Sequence, residues 1–94
     1  MRTYKRADTI ALGDIVLASH KSHRVYGVVT GINEGEFEVQ IVLMDDWYDV
    51  VLEYVLTRKE YQLHHVRRLA TVKHEAVRVR LTELSESIKR TLKD

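Results

Sequence analysis

Residues 36–44 read Glu-Phe-Glu-Val-Gln-Ile-Val-Leu-Met, and the fold is decided there. Phe37, Val39, Ile41 and Leu43 fall on one side of an extended chain, and Glu36, Glu38 and Gln40 fall on the other. A period of two belongs to a half-buried strand, because successive side chains of extended backbone point to opposite faces. The four apolar residues are therefore expected to be buried, with Glu36 and Glu38 in solvent.

The same reading extends upstream. Asn33-Glu34-Gly35 reads as a hairpin turn, with residues 25–32 (VYGVVTGI) as the strand before it. Gly27 and Gly31 interrupt that strand. Glycine there marks a bulge, a bend or a close backbone approach, and a small barrel needs such bends to close. The turn leaves the register open. A two-residue Glu34-Gly35 loop points Tyr26, Val28 and Ile32 inward, whereas a three-residue loop points Val25 and Val29 inward. A bulge near Thr30-Gly31 lets both Val29 and Ile32 face the core. Further upstream, residues 19–24 form a polar loop, and residues 14–18 a short strand entered through Leu12-Gly13-Asp14.

Downstream, residues 45–49 (DDWYD) form a loop and residues 50–58 a fourth strand, with Val50, Leu52, Tyr54 and Leu56 on one face. Residues 61–69 read as a helical turn followed by a fifth strand. Residues 75–92 read as a helix whose stripe is Val77, Leu81, Leu84 and Ile88, at spacings of four, three and four, with Leu92 beyond. Val77, Val79 and Leu81 also alternate, so the start of this segment admits an extended reading. The expected fold is mainly β: an antiparallel barrel of about five strands over residues 12–70, with an N-terminal extension over 1–11 and an amphipathic α-helix within 71–94.

Gly13-Asp14-Ile15-Val16, the polar loop, Gly27-Val28-Val29-Thr30-Gly31-Ile32, the Gly35 turn and Phe37-Glu38-Val39 resemble the opening of SH3-like small barrels. The closest in style are the KOW and Tudor types. Val66-Arg67-Arg68-Leu69 resembles their closing strand, so the likeness spans residues 12–69. It implies a binding module of the kind used in transcription, translation or chromatin-like machinery, with residues 19–24 in the place of the long first loop. No Pro-rich-peptide groove is suggested, and Trp47, Tyr48 and Tyr26 are candidates for a Tudor-type aromatic cage that their spacing does not establish.

Composition narrows the classes. Ninety-four residues hold one domain. The chain has no cysteine, which excludes disulfides and thiolate metal sites and suits a reducing compartment. No apolar run suits a signal peptide or a membrane span, so a cytoplasmic protein with no membrane partner is expected. The net charge of +1 conceals segregation. Residues 25–57 carry seven acidic residues and no Lys or Arg, while the rest carries all 15 cations against seven acids. Such a chain sets up local fields that its net charge hides.

Three clusters and the helix are candidate contact surfaces. Asp45, Asp46, Trp47, Tyr48 and Asp49 place the only tryptophan among three carboxylates, suited to a basic protein partner; the structural alternative is that Trp47 caps the barrel. His20, Lys21, His23 and Arg24, with Arg67 and Arg68, are candidates for an anion or a nucleic-acid backbone; the alternative is a solvated basic surface. His64, His65, Lys73 and His74 add to that basic set, but no metal-binding pattern appears. The helix stripe Val77, Leu81, Leu84 and Ile88 packs either on its own barrel or on a second copy, and the four-three spacing predicts a homodimer. No catalytic residue, cofactor or metal is expected, because nucleophile elbow, P-loop and dinucleotide motifs are all missing. The leading reading is a non-catalytic protein-interaction or regulatory module, which a phage could encode as well as a cell. A nucleic-acid-binding module is the alternative, and a small enzyme of unassigned chemistry is third.

Overall fold

A computed structural model describes residues 10–93. Residues 1–9 of the expected N-terminal extension, and Asp94, lie outside the described residues. Five strands, β1 (Ile15–His20), β2 (His23–Asn33), β3 (Glu36–Asp45), β4 (Val50–Leu56) and β5 (Gln62–His65), precede a 3-10 turn at Leu69–Thr71 and the helix α1 (Glu75–Lys93). They form one antiparallel sheet in the order β4-β3-β2-β1-β5. The first four strands follow one another as a meander, and β5 pairs with the free side of β1.

The sheet has a core on each face. On the inner face, Val16, Ala18, Val25, Val29, Val39, Ile41 and Leu56 are buried together, flanked by Phe37, Leu43, Tyr61 and Leu63. Strands sit ~4.8 Å apart, so in a flat sheet β4 and β5 would be ~19 Å apart. Leu56 and Leu63 nonetheless line one cleft, so the sheet curls around this core. No ladder joins β4 to β5, and among the described residues these two strands are the edges of the sheet.

On the outer face, Val28 and Val42 pack against Val72, Val77 and Leu81. The helix stripe is thus engaged by the chain's own sheet, with Val77 and Leu81 buried and Leu84 and Ile88 half-buried. Ser85 is buried in the same contact, and its Oγ donates to the Gly13 carbonyl at 2.6 Å, holding the helix to the turn before β1. The second core explains why β2 carries Val28 and Val29 side by side at zero exposure. A strand covered on both faces has no polar side to alternate with.

The hairpin before β3 resolves to a two-residue turn, with Ile32 opposite Phe37 and Asn33 opposite Glu36. Glu34 and Gly35 both have positive φ, 54° and 82°, as the favoured two-residue hairpin turn requires. A register shift between Val29 and Gly31 places the extra residue at Thr30, whose hydroxyl bonds the Glu38 carbonyl and carboxylate. The bulge turns Val25 and Val29 to the inner core and leaves Tyr26 and Val28 under the helix. Gly27 is a close-approach site, since a Cβ there would lie 2.6 Å from both the Gln40 carbonyl oxygen and Val39 Cγ1.

Two expectations change. Residues 19–24 form no long loop: β1 and β2 run on until His20 faces His23, leaving Lys21 and Ser22 as a tight turn made by Lys21 at φ 58°. The segment after β4 is also inverted, with strand β5 first and the helical turn second. Residues 66–69 therefore form no closing strand, although Val66 N still donates to the Ile15 carbonyl at 3.0 Å. The ladder with β1 is satisfied by the four residues before them, and Leu69 instead turns towards the helix-side core.

Candidate functional site

The β3–β4 hairpin is built to hold its tip open. Asp45 Oδ1 accepts the amide protons of Trp47 at 2.9 Å and Tyr48 at 3.3 Å, and the Asp49 amide donates to the Asp45 carbonyl at 2.7 Å. An aspartate folded back on the next two amides is a turn-forming device, and Asp49 closes the turn at φ 56°. Asp45 is thereby committed to the backbone, whereas Asp46 and Asp49 stay exposed. Trp47 does not fold back as a cap: it is 86% exposed, and Tyr48 is 70% exposed.

The apolar surface continues from the tip along β4. Val50, Leu52 and Tyr54 share the inner face with Leu43 and Ile41, but more than a third of each remains in solvent. Partial burial, reinforced by neighbouring Tyr61, pushes the Tyr54 hydroxyl pKa upwards. On the outer face Glu53 is bound by Arg80 of α1, at 2.7 Å and 3.3 Å, and by Gln40. The Arg80 hydrogen bonds hold the Glu53 carboxyl below its usual range, against the opposing effect of burial.

The basic candidates divide into two groups. Lys21 and Arg24 are exposed at the β1–β2 turn, which lies at the same end of the sheet as Trp47. His20 and His23 pack on Tyr61, and His23 Nδ1 shares a 2.6 Å hydrogen bond with the Tyr61 hydroxyl. Arg67 and Arg68 follow β5 at the other end of β1, ~20 Å away by strand rise. The structure therefore does not gather the six residues into one patch. It does bring Arg24 beside Lys73 and His74, a grouping not visible in sequence, around a groove of about 240 Å³ floored by Val42, Met44, Val72 and Val77. His74 Nε2 lies 3.7 Å from Asp46, linking this groove to the acidic turn.

His65 donates to Asp14 at 2.7 Å, and Asp14 also caps the Ala11 amide, so this pair fixes the entry to β1. Among the described residues, no group of three or more His, Asp or Glu is placed to hold a metal ion. No helix there is long and apolar enough to cross a membrane.

The fold partly offsets the charge segregation along the chain, since Lys59, His74 and Arg80 come to Glu36, Asp46 and Glu53. Acidic residues 34–53 occupy β3, β4 and their turns; of the cations that follow, Arg67 and Arg68 succeed β5, whereas Lys59 pairs with Glu36 at 3.1 Å and Lys73 lies beside the groove over β3. Comparison of the chain with protein-family models, curated proteins and solved structures gave no match.

Proposed function

We propose that this chain is a cytoplasmic, non-catalytic protein-interaction module whose contact element is the tip of the β3–β4 hairpin. The observation that carries the reading is a nearly fully exposed tryptophan beside an exposed tyrosine, on a turn pinned by Asp45. Asp45 fixes the backbone that presents them, and exposed Trp and Tyr side chains form interface hot spots. Exposed Asp46 and Asp49 flank them, so the partner is a protein surface with exposed Lys or Arg around an apolar recess. The strand order and the pairing of β1 with β5 support an SH3-like relationship, which fits a binding role.

The test is affinity capture from the native host with tagged wild type and Trp47→Ala, each with and without nuclease. The expected result is a protein retained by wild type after nuclease and lost with Trp47→Ala, while the melting curve is unchanged. Capture abolished by nuclease would replace this reading with nucleic-acid binding through Lys21, Arg24, Arg67 and Arg68. A large fall in melting temperature for Trp47→Ala would make Trp47 a fold residue.

A further inference from the structure

We propose that β4 is a homodimerisation edge, pairing antiparallel with β4 of a second copy so that two five-stranded sheets join into one. Four observations converge. First, among the described residues β4 is the last strand on its side of the sheet, and no other described strand pairs with its outward backbone groups. Second, it carries none of the devices that keep edges apart. Its sequence, Val-Val-Leu-Glu-Tyr-Val-Leu, has no Lys, Arg or Pro, and its pairing with β3 runs over seven residues without a bulge. Third, its one charge, Glu53, is already neutralised by Arg80 of the same chain. Fourth, its exposed apolar side chains lie on both faces: Val50, Leu52 and Tyr54 on the inner, Val55 on the outer, with Val79 of α1 across a groove lined by Val51 and Ala76.

A second copy, rather than a foreign strand, is favoured by the symmetry of the sequence. About Glu53 the strand is a near palindrome in size and polarity. Antiparallel pairing around a two-fold axis at that residue sets Val51 opposite Val55, Leu52 opposite Tyr54 and Val50 opposite Leu56. Every pair keeps its face, because paired residues of antiparallel strands point to the same side. The two Glu53 carboxylates meet at the axis, each carrying its own Arg80. Aromatic–aliphatic and aliphatic pairs of this kind are favourable across strands. The interface uses neither the tip aromatics nor the helix stripe, so it stands apart from the partner site above.

Analytical ultracentrifugation of the wild-type chain from ~10 to ~500 µM reads the association, a range suited to a small interface. The expected result is a mass rising towards twice that of the chain. In Val55→Lys, which adds an edge charge at an exposed position, dissociation should be at least ~10-fold easier with the circular dichroism melt unchanged. The natural chain has no cysteine, so a single introduced cysteine can bridge only to another copy. Glu53→Cys should oxidise to a covalent dimer at least ~10-fold faster than Ser87→Cys on the exposed face of α1, since self-opposed Cα atoms on paired strands lie within disulfide reach. A wild-type chain that stays monomeric throughout, a dimer unaffected by Val55→Lys, or equal bridging at Ser87→Cys would overturn the proposal.

Discussion

Replacing Leu81 by Ala tests the helix–sheet contact on which the second core depends. Leu81 has zero exposure and packs with Val28, Val42, Val72 and Val77. Deleting such a side chain loses its transfer free energy and leaves a cavity that the β2–β3 ladder cannot collapse into, a cost of about 2–5 kcal/mol. For a domain of this length each kcal/mol lowers Tm by roughly 4–8 °C, so a central loss of ~3 kcal/mol corresponds to a fall of roughly 12–24 °C. Total stability of a small domain is of the order of 5–15 kcal/mol, so the variant still folds at 25 °C. Leu92 is 56% exposed on the same helix, and Leu92→Ala should stay within about 0.5 kcal/mol of wild type. Half-buried Leu84 should fall between them. The assay is urea unfolding followed by circular dichroism in the Val55→Lys background, so that edge pairing does not contribute. Equal losses for Leu81→Ala and Leu92→Ala would refute docking of the stripe on its own sheet, as would a Leu81 penalty that grows with protein concentration.

Gly27→Ala should destabilise the chain by at least about 1–3 kcal/mol in urea unfolding, because the added methyl meets backbone as well as side chain. Gly35→Ala, with no atom within 4 Å of its Cβ, is expected to cost less and only through its φ of 82°. Glu53 has a lowered folded-state pKa, chiefly through its Arg80 hydrogen bonds. Its pair therefore contributes fully above the ordinary glutamate pKa of ~4.3, and that contribution is lost as pH falls through the lowered value. The stability difference between wild type and Arg80→Ala, measured by urea midpoints from pH 7 downwards, should be flat above pH ~5 and shrink below it. Ser85→Ala should lose about 1 kcal/mol by the same denaturation assay, since it removes the buried hydrogen bond to Gly13.

What was legible in the sequence followed from local periodicity. The alternation of residues 36–44 puts Phe37, Val39, Ile41 and Leu43 on the inner side, and the structure buries Val39 and Ile41 fully with Phe37 and Leu43 at the margin. The helix stripe was legible from Val77, Leu81, Leu84 and Ile88 at helical spacing, although the alternation of Val77, Val79 and Leu81 left its start open to an extended reading that the structure does not take. Three features were hidden, each depending on a distant part of the chain. Whether Val28 or Val29 faces the core stayed open in the sequence, and both are buried because α1, some fifty residues later, covers the face that carries Val28. The tight turn at Lys21-Ser22 needs a left-handed lysine, a conformation that no residue preference announces. The order of strand and turn after β4 is set by which residues find the free edge of β1, and Gln62–His65 do so before Val66.

The two ends of the candidate site differ in kind, and the difference follows from how their charges are spent. At the β1–β2 turn, His20 and His23 are occupied with Tyr61, so the surface there reduces to Lys21 and Arg24 on a turn of two residues. At the β3–β4 turn, one aspartate organises the backbone and the other two carboxylates remain exposed beside the aromatics. A fold that needed Trp47 only for stability would bury it, since an indole in water forgoes the largest hydrophobic gain available to any side chain. Its cost in solvent is offset by nothing within the described residues. Along β4, an edge strand with three partly exposed apolar residues on one face and Val55 on the other joins the exposed tip. An exposed apolar run of that length is the surface on which both proposals rest. The tip and the edge belong to one hairpin, yet the two proposals give them different occupants: the exposed carboxylates at the tip argue for a basic surface, and the near-palindromic apolar sequence of the edge argues for the strand's own copy.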